Sequence, residues 1–182
     1  QYCLERAPDS VFWIDENGRI TYVNEQACRG LGYTRQELTG MHVWDCDMKV
    51  RQEDWLQWWD QGRKATIRTF ESQHRRKNGE IFPVEISSMH VTYGNKVRHL
   101  AFVRDITERR EAEQSLKLAH AAIDKSQSAF FWLTLAGKVV YVNEYTCQNL
   151  GYTRDELTGL YIWDFDPDYK PEHLPARVEE MR

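Results

Sequence analysis

The nine residues Gly32-Tyr33-Thr34-Arg35-Gln36-Glu37-Leu38-Thr39-Gly40 are spelled again at Gly151-Tyr152-Thr153-Arg154-Asp155-Glu156-Leu157-Thr158-Gly159, with one change, Gln to Asp. The offset of 119 residues holds without a gap from Phe12/Phe131 to Asp47/Asp166, and 20 of these 36 paired positions are identical. Stacked repeat proteins have periods of roughly 20–50 residues, so this spacing means one domain type used twice. The first copy is complete over about 107 residues, whereas residues 126–182 match only positions 7–63 of the first.

The repeated stretch reads as helix punctuation. Gly32 closes a short helix over Glu25–Leu31, because only glycine takes the left-handed conformation of a helix end without strain. Thr34 is the next N-cap, Glu37 completes a capping box three residues later, and Gly40 ends that turn. Identity between copies is therefore explained first by folding.

Around this landmark the first copy runs from strands to helices and back to strands. Val11–Asp15 and Arg19–Asn24 are short β-rich runs joined by Glu16-Asn17-Gly18, and Asn24 can cap the following helix. Met41–Asp47 is a connector of aromatic and acidic character. Gln52–Gly62 is a helix whose Trp55, Trp58, Trp59 and Gly62 share one face. Thr66–Arg75 and Glu80–Met89 flank an Asn78-Gly79 hairpin turn, and Tyr93-Gly94-Asn95-Lys96 leads into Val97–Ile106. This order predicts an α+β domain, with five antiparallel strands and helices on one face.

After Thr107 the period becomes helical. Ala112, Leu116, Ala119, Ile123, Ser126 and Phe130 alternate in steps of four and three, the a/d seam of a weak parallel coiled coil. Residues 1–8 read as the end of a similar upstream helix. Two strands without partners leave an open sheet edge, so the short second copy is expected to be disordered, swapped or docked on a neighbour.

Composition excludes several classes. A net charge of −4 with both signs interspersed gives no field for nucleic acid, and no apolar run approaches a membrane span. Cys3, Cys28, Cys46 and Cys147 form no CxxC pair, which fits buried thiols in a reducing cytoplasm better than a disulfide framework. No glycine-rich phosphate loop, HExxH or GxSxG is present, so no catalytic residue is assigned. Asp45 and Asp47 are expected to cap a helix or hydrogen-bond backbone. His74-Arg75-Arg76-Lys77 is expected to be a solvated strand end.

The pieces Asp15…Gly18…Ile20…Tyr22-Val23-Asn24, Leu31-Gly32-Tyr33…Glu37-Leu38…Gly40, His74–Gly79…Phe82-Pro83-Val84-Glu85 and Asp105-Ile106-Thr107 occur in an order that resembles the PAS domain. The resemblance divides the chain into the end of an upstream linker helix (1–8), a first PAS domain (9–107), a connecting signalling helix (108–127) and the N-terminal half of a second PAS domain (128–182). It implies a sensory and dimerising module of a bacterial signal-transduction protein, most often a histidine kinase of a two-component system. In such proteins the Asp-Ile-Thr ending hands a change in the sheet to the signalling helix. Asp105, Ile106 and Thr107 are thus the expected relay, and Ala112, Leu116, Ala119 and Ile123 the expected homodimer seam.

Family ligands sit between the sheet and its helices. Trp44, Trp55, Trp59, Phe70, Phe82, Val84 and Phe102 are the expected pocket wall for a small molecule, or for a filled core with no ligand. Neither haem nor flavin is required. The helix that carries the haem ligand in haem sensors of this family has no histidine here, and His173 falls opposite Asp54 in a segment disturbed by Pro171 and Pro175. The cysteine motif of flavin photosensors is replaced by Arg29-Gly30-Leu31-Gly32-Tyr33-Thr34. The alternatives are a haem- or flavin-based gas, redox or light sensor, a ligand-free dimerisation module, and a regulator of a cyclic-dinucleotide enzyme.

Overall fold

The structure is a computed structural model that describes residues 2–62 and 67–170. The chain divides into two units, Gln1–Glu111 and Ala112–Arg182. His173, Pro171 and Pro175 lie outside the described residues, as does the expected strand start at Thr66.

The first unit begins with a helical turn, α1 (Tyr2–Glu5), followed by β1 (Ser10–Ile14) and β2 (Ile20–Val23). The turn between the strands is built by Asp15, whose carboxylate accepts from the backbone N–H groups of Asn17 and Arg19, each at 3.0 Å. Gly18 sits there at φ +78, where any Cβ would collide with the Trp44 ring. Close packing and backbone conformation both demand glycine at this position.

Helix α2 (Glu25–Leu31) has both predicted ends, whereas α3 (Arg35–Leu38) has the predicted start but is capped at its C-terminal end by Thr39, one residue before the expected Gly40. Asn24 caps α2 from Ala27 N, Gly32 closes it at φ 76, and Thr34 with Glu37 forms the capping box. The Met41–Asp47 connector contains a further turn, α4 (Val43–Cys46), closed by a hydrogen bond from His42 N to Asp45 at 2.8 Å. Hydrophobic periodicity missed it because one turn carries no period to detect. Helix α5 (Trp55–Gly62) buries Trp55 and Trp59.

The remaining strands are β3 (Arg68–Arg75), β4 (Ile81–Tyr93) and β5 (Lys96–Asp105). With β1 and β2 they form one antiparallel sheet in the order β2-β1-β5-β4-β3. One face carries Phe12, Ile14, Phe82, Val84, Ile86, Ala101 and Val103 into a single apolar core with Ala27, Leu31, Leu38, Cys46, Trp55 and Trp59. The β4–β5 ladder stops at Val84↔Asp105. Pro83 has no N–H to extend it, while its carbonyl accepts from Ile106 N at 3.1 Å. The chain leaves the sheet there and enters α6 (Thr107–Asp124). That helix ends three residues before the predicted boundary, so Ser126 and Phe130 of the proposed seam lie beyond it.

The second unit repeats the opening of the first: β6 (Phe131–Leu133), β7 (Val139–Val142), α7 (Glu144–Leu150), α8 (Arg154–Leu157) and a 3-10 turn at Ile162–Asp164. Its core gathers Val139, Val142, Cys147 and Leu157, with Phe131, Leu133 and Phe165 against them. Both units hold the helix that precedes them by the same contacts. Asn24 Nδ2 donates to the carbonyls of Leu4 and Asp9, and Asn143 Nδ2 to those of Ile123 and Ser128. Tyr22 donates its hydroxyl to Glu5 at 2.6 Å, and Tyr141 to Asp124 at 2.9 Å, with Arg35 and Arg154 paired to the same acids.

Candidate functional site

Strand alternation decides which side chains reach the core of the first unit. Ile86↔Val103, Ser88↔Ala101 and His90↔His99 are opposite one another across β4 and β5, so each pair shares a face. Phe102 lies opposite Ser87 and Val11, on the other face of the sheet. It is not a pocket residue. Successive side chains of a strand point to opposite sides, and with Phe82 and Val84 inward Phe102 cannot be.

The other predicted wall residues are distributed rather than gathered. Trp55 and Phe70 line a cavity of about 30 Å³ between the sheet and α5. Phe82 lines a neighbouring cleft of about 230 Å³ beside α2, with Asp105 and with Phe12, His74 and Val103, which line both spaces. Val84 is fully buried, Trp59 sets its ring edge-on to His90 at 4.4 Å, and Trp44 stacks on His42 at 4.7 Å. These three support the core without lining the cavity.

The cavity is more polar than the aromatic wall suggested. Asp47, His74, His99 and Cys46 line it together with apolar side chains. Asp47 is 1% exposed and accepts from Ser72 Oγ at 2.6 Å and Lys49 N at 2.9 Å, while His74 Nε2 stands 3.5 Å from its other oxygen. Burial pushes this carboxyl up, but His74 and Ser72 outweigh it and hold it below the usual carboxylate range. His74 is thus a buried partner of Asp47, not part of a solvated strand end. His99 is 2% exposed, ringed by Trp55, Trp58 and Trp59, and its Nδ1 has no hydrogen-bond partner. Burial, followed by His90 and Arg68, pushes its pKa down to about 3, so the imidazole is neutral. Burial also pushes the Cys46 thiol up to about 12.

Arg76 is likewise engaged rather than solvated. Its guanidinium lies 3.7 Å from the Phe82 ring centroid, donates to the Gly30 carbonyl at the end of α2, and pairs with Asp105 at 2.9 Å. Asp105 in turn accepts from Thr107 N at 2.9 Å and Thr107 Oγ1 at 2.6 Å, which caps the first turn of α6. Burial raises the Asp105 carboxyl, but Thr107 and Arg76 lower it further and it stays ionised. Ile106 is 2% exposed. One arginine therefore joins the pocket wall, helix α2 and the predicted relay. Beyond this junction, Arg110 and Arg109 of α6 both pair with Glu71 on β3. Sequence reading missed Trp58, His74, Arg76 and His99. The signal for His99 was its place opposite His90 across a two-residue turn.

Helix α6 buries none of its side chains. Of the seam residues, Ala112, Leu116 and Ala119 are exposed and Ile123 half-buried. Among the described residues no helix is long and apolar enough to cross a membrane.

Comparison with known proteins agrees with this architecture. The family model described as PAS domain matches residues 8–108 and again 127–182. The methyl sulfide methyltransferase-associated sensor of Methanosarcina acetivorans is 29% identical over 116 residues, 62% of this chain and 11% of that protein. The oxygen sensor protein DosP of Escherichia coli is 26% identical over 164 residues, 86% of this chain and 20% of that protein. The chain thus spans a fifth or less of these curated relatives. The PAS domain of an HTR-like protein from Haloarcula marismortui superposes with a TM-score of 0.53 at 30% identity, over 57% of this chain and 85% of that one. A PAS domain from a two-component sensor histidine kinase gives 0.50 at 28%, over 57% and 90%. With both copies matched over most of its length, the chain belongs to the PAS domain family.

Proposed function

We propose that the chain is the sensory and dimerisation region of a two-component histidine kinase working in the cytoplasm. The state of the first core passes through Asp105-Ile106-Thr107 into α6, which pairs in parallel with α6 of a second copy along Ala112, Leu116, Ala119 and Ile123. The observation that carries this reading is Arg76, which touches the core wall at Phe82 and the capping carboxylate Asp105. A shift of Phe82 or of α2 changes the position of the guanidinium, and with it the cap of the first turn of α6. Similarity to the PAS domain of a two-component sensor histidine kinase supports the choice of output. The chain itself is read as non-catalytic.

The relay is tested by hydrogen exchange at residues 107–111 in the 182-residue protein. Arg76→Ala is expected to speed exchange there about fivefold, corresponding to roughly 1 kcal/mol of lost cap support. Unchanged exchange would refute the relay. The seam is tested by sedimentation: Leu116→Asp with Ile123→Asp is expected to convert dimers to monomers, and an unchanged dimer would place the interface elsewhere.

A further inference from the structure

The cavity under α5 has features that the sensory reading leaves unassigned. Trp55 and Trp58 form part of its wall, and its volume of about 30 Å³ is roughly twice the least that holds one water molecule. A void of this size lined only by hydrocarbon stays dry, but one with several polar neighbours is occupied. Here the polar neighbours are Asp47, His74, His99 and the Cys46 thiol.

Charge narrows the occupant. Asp47 is an ionised carboxylate already holding Ser72, Lys49 N and His74, so an anion is repelled. His99 is a neutral imidazole in a site where burial and nearby Arg68 disfavour positive charge, which works against a cation. Its Nδ1 is buried without a partner, and the cavity is the unfilled space beside the ring. A buried polar group in that condition favours any state that supplies a hydrogen bond.

We propose that the first unit binds, between His99 and the Asp47–His74 pair, one neutral molecule of one or two non-hydrogen atoms that both donates and accepts hydrogen bonds. Its class is that of a small alcohol. The inference rests on the reading of the first unit as a sensory domain and names what its core would receive. The second unit shows the contrast. Cys46 is replaced there by Phe165, whose ring stacks on Phe131 at 5.7 Å, so an aromatic ring stands where the thiol lines the cavity.

The test uses the 182-residue protein with methanol as probe and xenon as an apolar control of similar size. Nitrogen-15 resonances of the histidine rings and of the Trp55 indole are followed by NMR. The Trp55 indole N–H donates to the Glu16 carbonyl at 2.9 Å and reports on the cavity wall. Methanol is expected to shift the His99 ring saturably, with half-saturation in the millimolar range or weaker, since very small ligands gain at most about 1.5 kcal/mol per non-hydrogen atom. His99→Phe and Cys46→Val, the second filling the space from the opposite side, are each expected to abolish the saturable shift. Should His99→Phe fail to fold, Cys46→Val alone carries the test. A response to xenon alone, or only a shift proportional to bulk methanol, would overturn the proposal. Either result would leave the relay through Arg76 standing, because that is judged by exchange in α6.

Discussion

The two units are built from nearly the same opening sequence, yet among the described residues only the first buries a carboxylate and histidines. Both hold an entering helix by Asn, Tyr, Arg and an acid, and both close their short helices with the same glycine and capping box. Trp44 stacks on His42 and Trp163 on Tyr161, at 4.7 and 4.8 Å with nearly parallel planes. The scaffold tolerates that replacement because a flat ring satisfies the stack in either case. The acids behave differently. Asp47 is buried because β3 brings Ser72 and His74 to it, while Asp166 is half-buried and accepts from Asp168 N at 3.1 Å. The repeated residues make a frame, and the later strands of the first unit make it a site.

The comparison can be broken most forcefully at the shared asparagine. Asn24 is fully buried, accepts from Val11 N and Ala27 N, and donates to Leu4 and Asp9. Asn24→Ala is expected to cost the first unit about 3 kcal/mol, since several buried groups lose their partner at once. Asn143→Ala should cost the second unit a similar amount, read by urea denaturation with exchange resolved by unit. Unequal losses would mean that the frame is not shared.

A pH titration should separate the units next. His99 titrates near 6.5 when unfolded and at about 3 when folded. Between these values the unfolded chain binds the extra proton, so stability falls as pH falls. About 2 kcal/mol should be lost from the first unit between pH 7 and pH 5. His99→Phe should flatten the curve in that window. A wild-type curve already flat there would contradict the buried, neutral assignment.

The capping boxes give a smaller and symmetric effect. Thr34→Ala and Thr153→Ala are each expected to cost about 1 kcal/mol, measured by thermal unfolding. The pairs at the helix ends are smaller still. Glu5→Gln and Asp124→Asn leave the hydrogen bond from tyrosine possible and remove only a partly exposed charge pair. Losses below about 1 kcal/mol are expected in both units.

Much of the frame was legible because its signals are local. As helix caps, Asn24, Gly32, Thr34 and Glu37 act within a few residues of themselves, and the structure places each in that predicted role, while the bonds of Asn24 to Leu4, Asp9 and Val11 reach further. The site was legible only in part, because it depends on strand parity. Leu100 and Phe102 are more apolar than His99 and Ala101, so hydrophobicity alone favours the wrong face of β5. The turn at Gly94-Asn95 nonetheless contained the answer. A two-residue turn pairs Tyr93 with Lys96, which sets Val84 opposite Asp105 and Ser87 opposite Phe102. Val84 and Phe102 then cannot share a face. The Asp47–His74 pair was not legible at all, since it joins positions 27 residues apart through the bridge between the α4 exit and β3.

The central claim is that Arg76 couples the wall of the first core to the start of α6. A double-mutant cycle between Phe82→Leu and Asp105→Asn, read as the exchange free energy of amides 107–111, measures this coupling most directly. The account predicts a non-additivity of about 1 kcal/mol that vanishes in an Arg76→Ala background. Additive effects in the presence of Arg76 would contradict it.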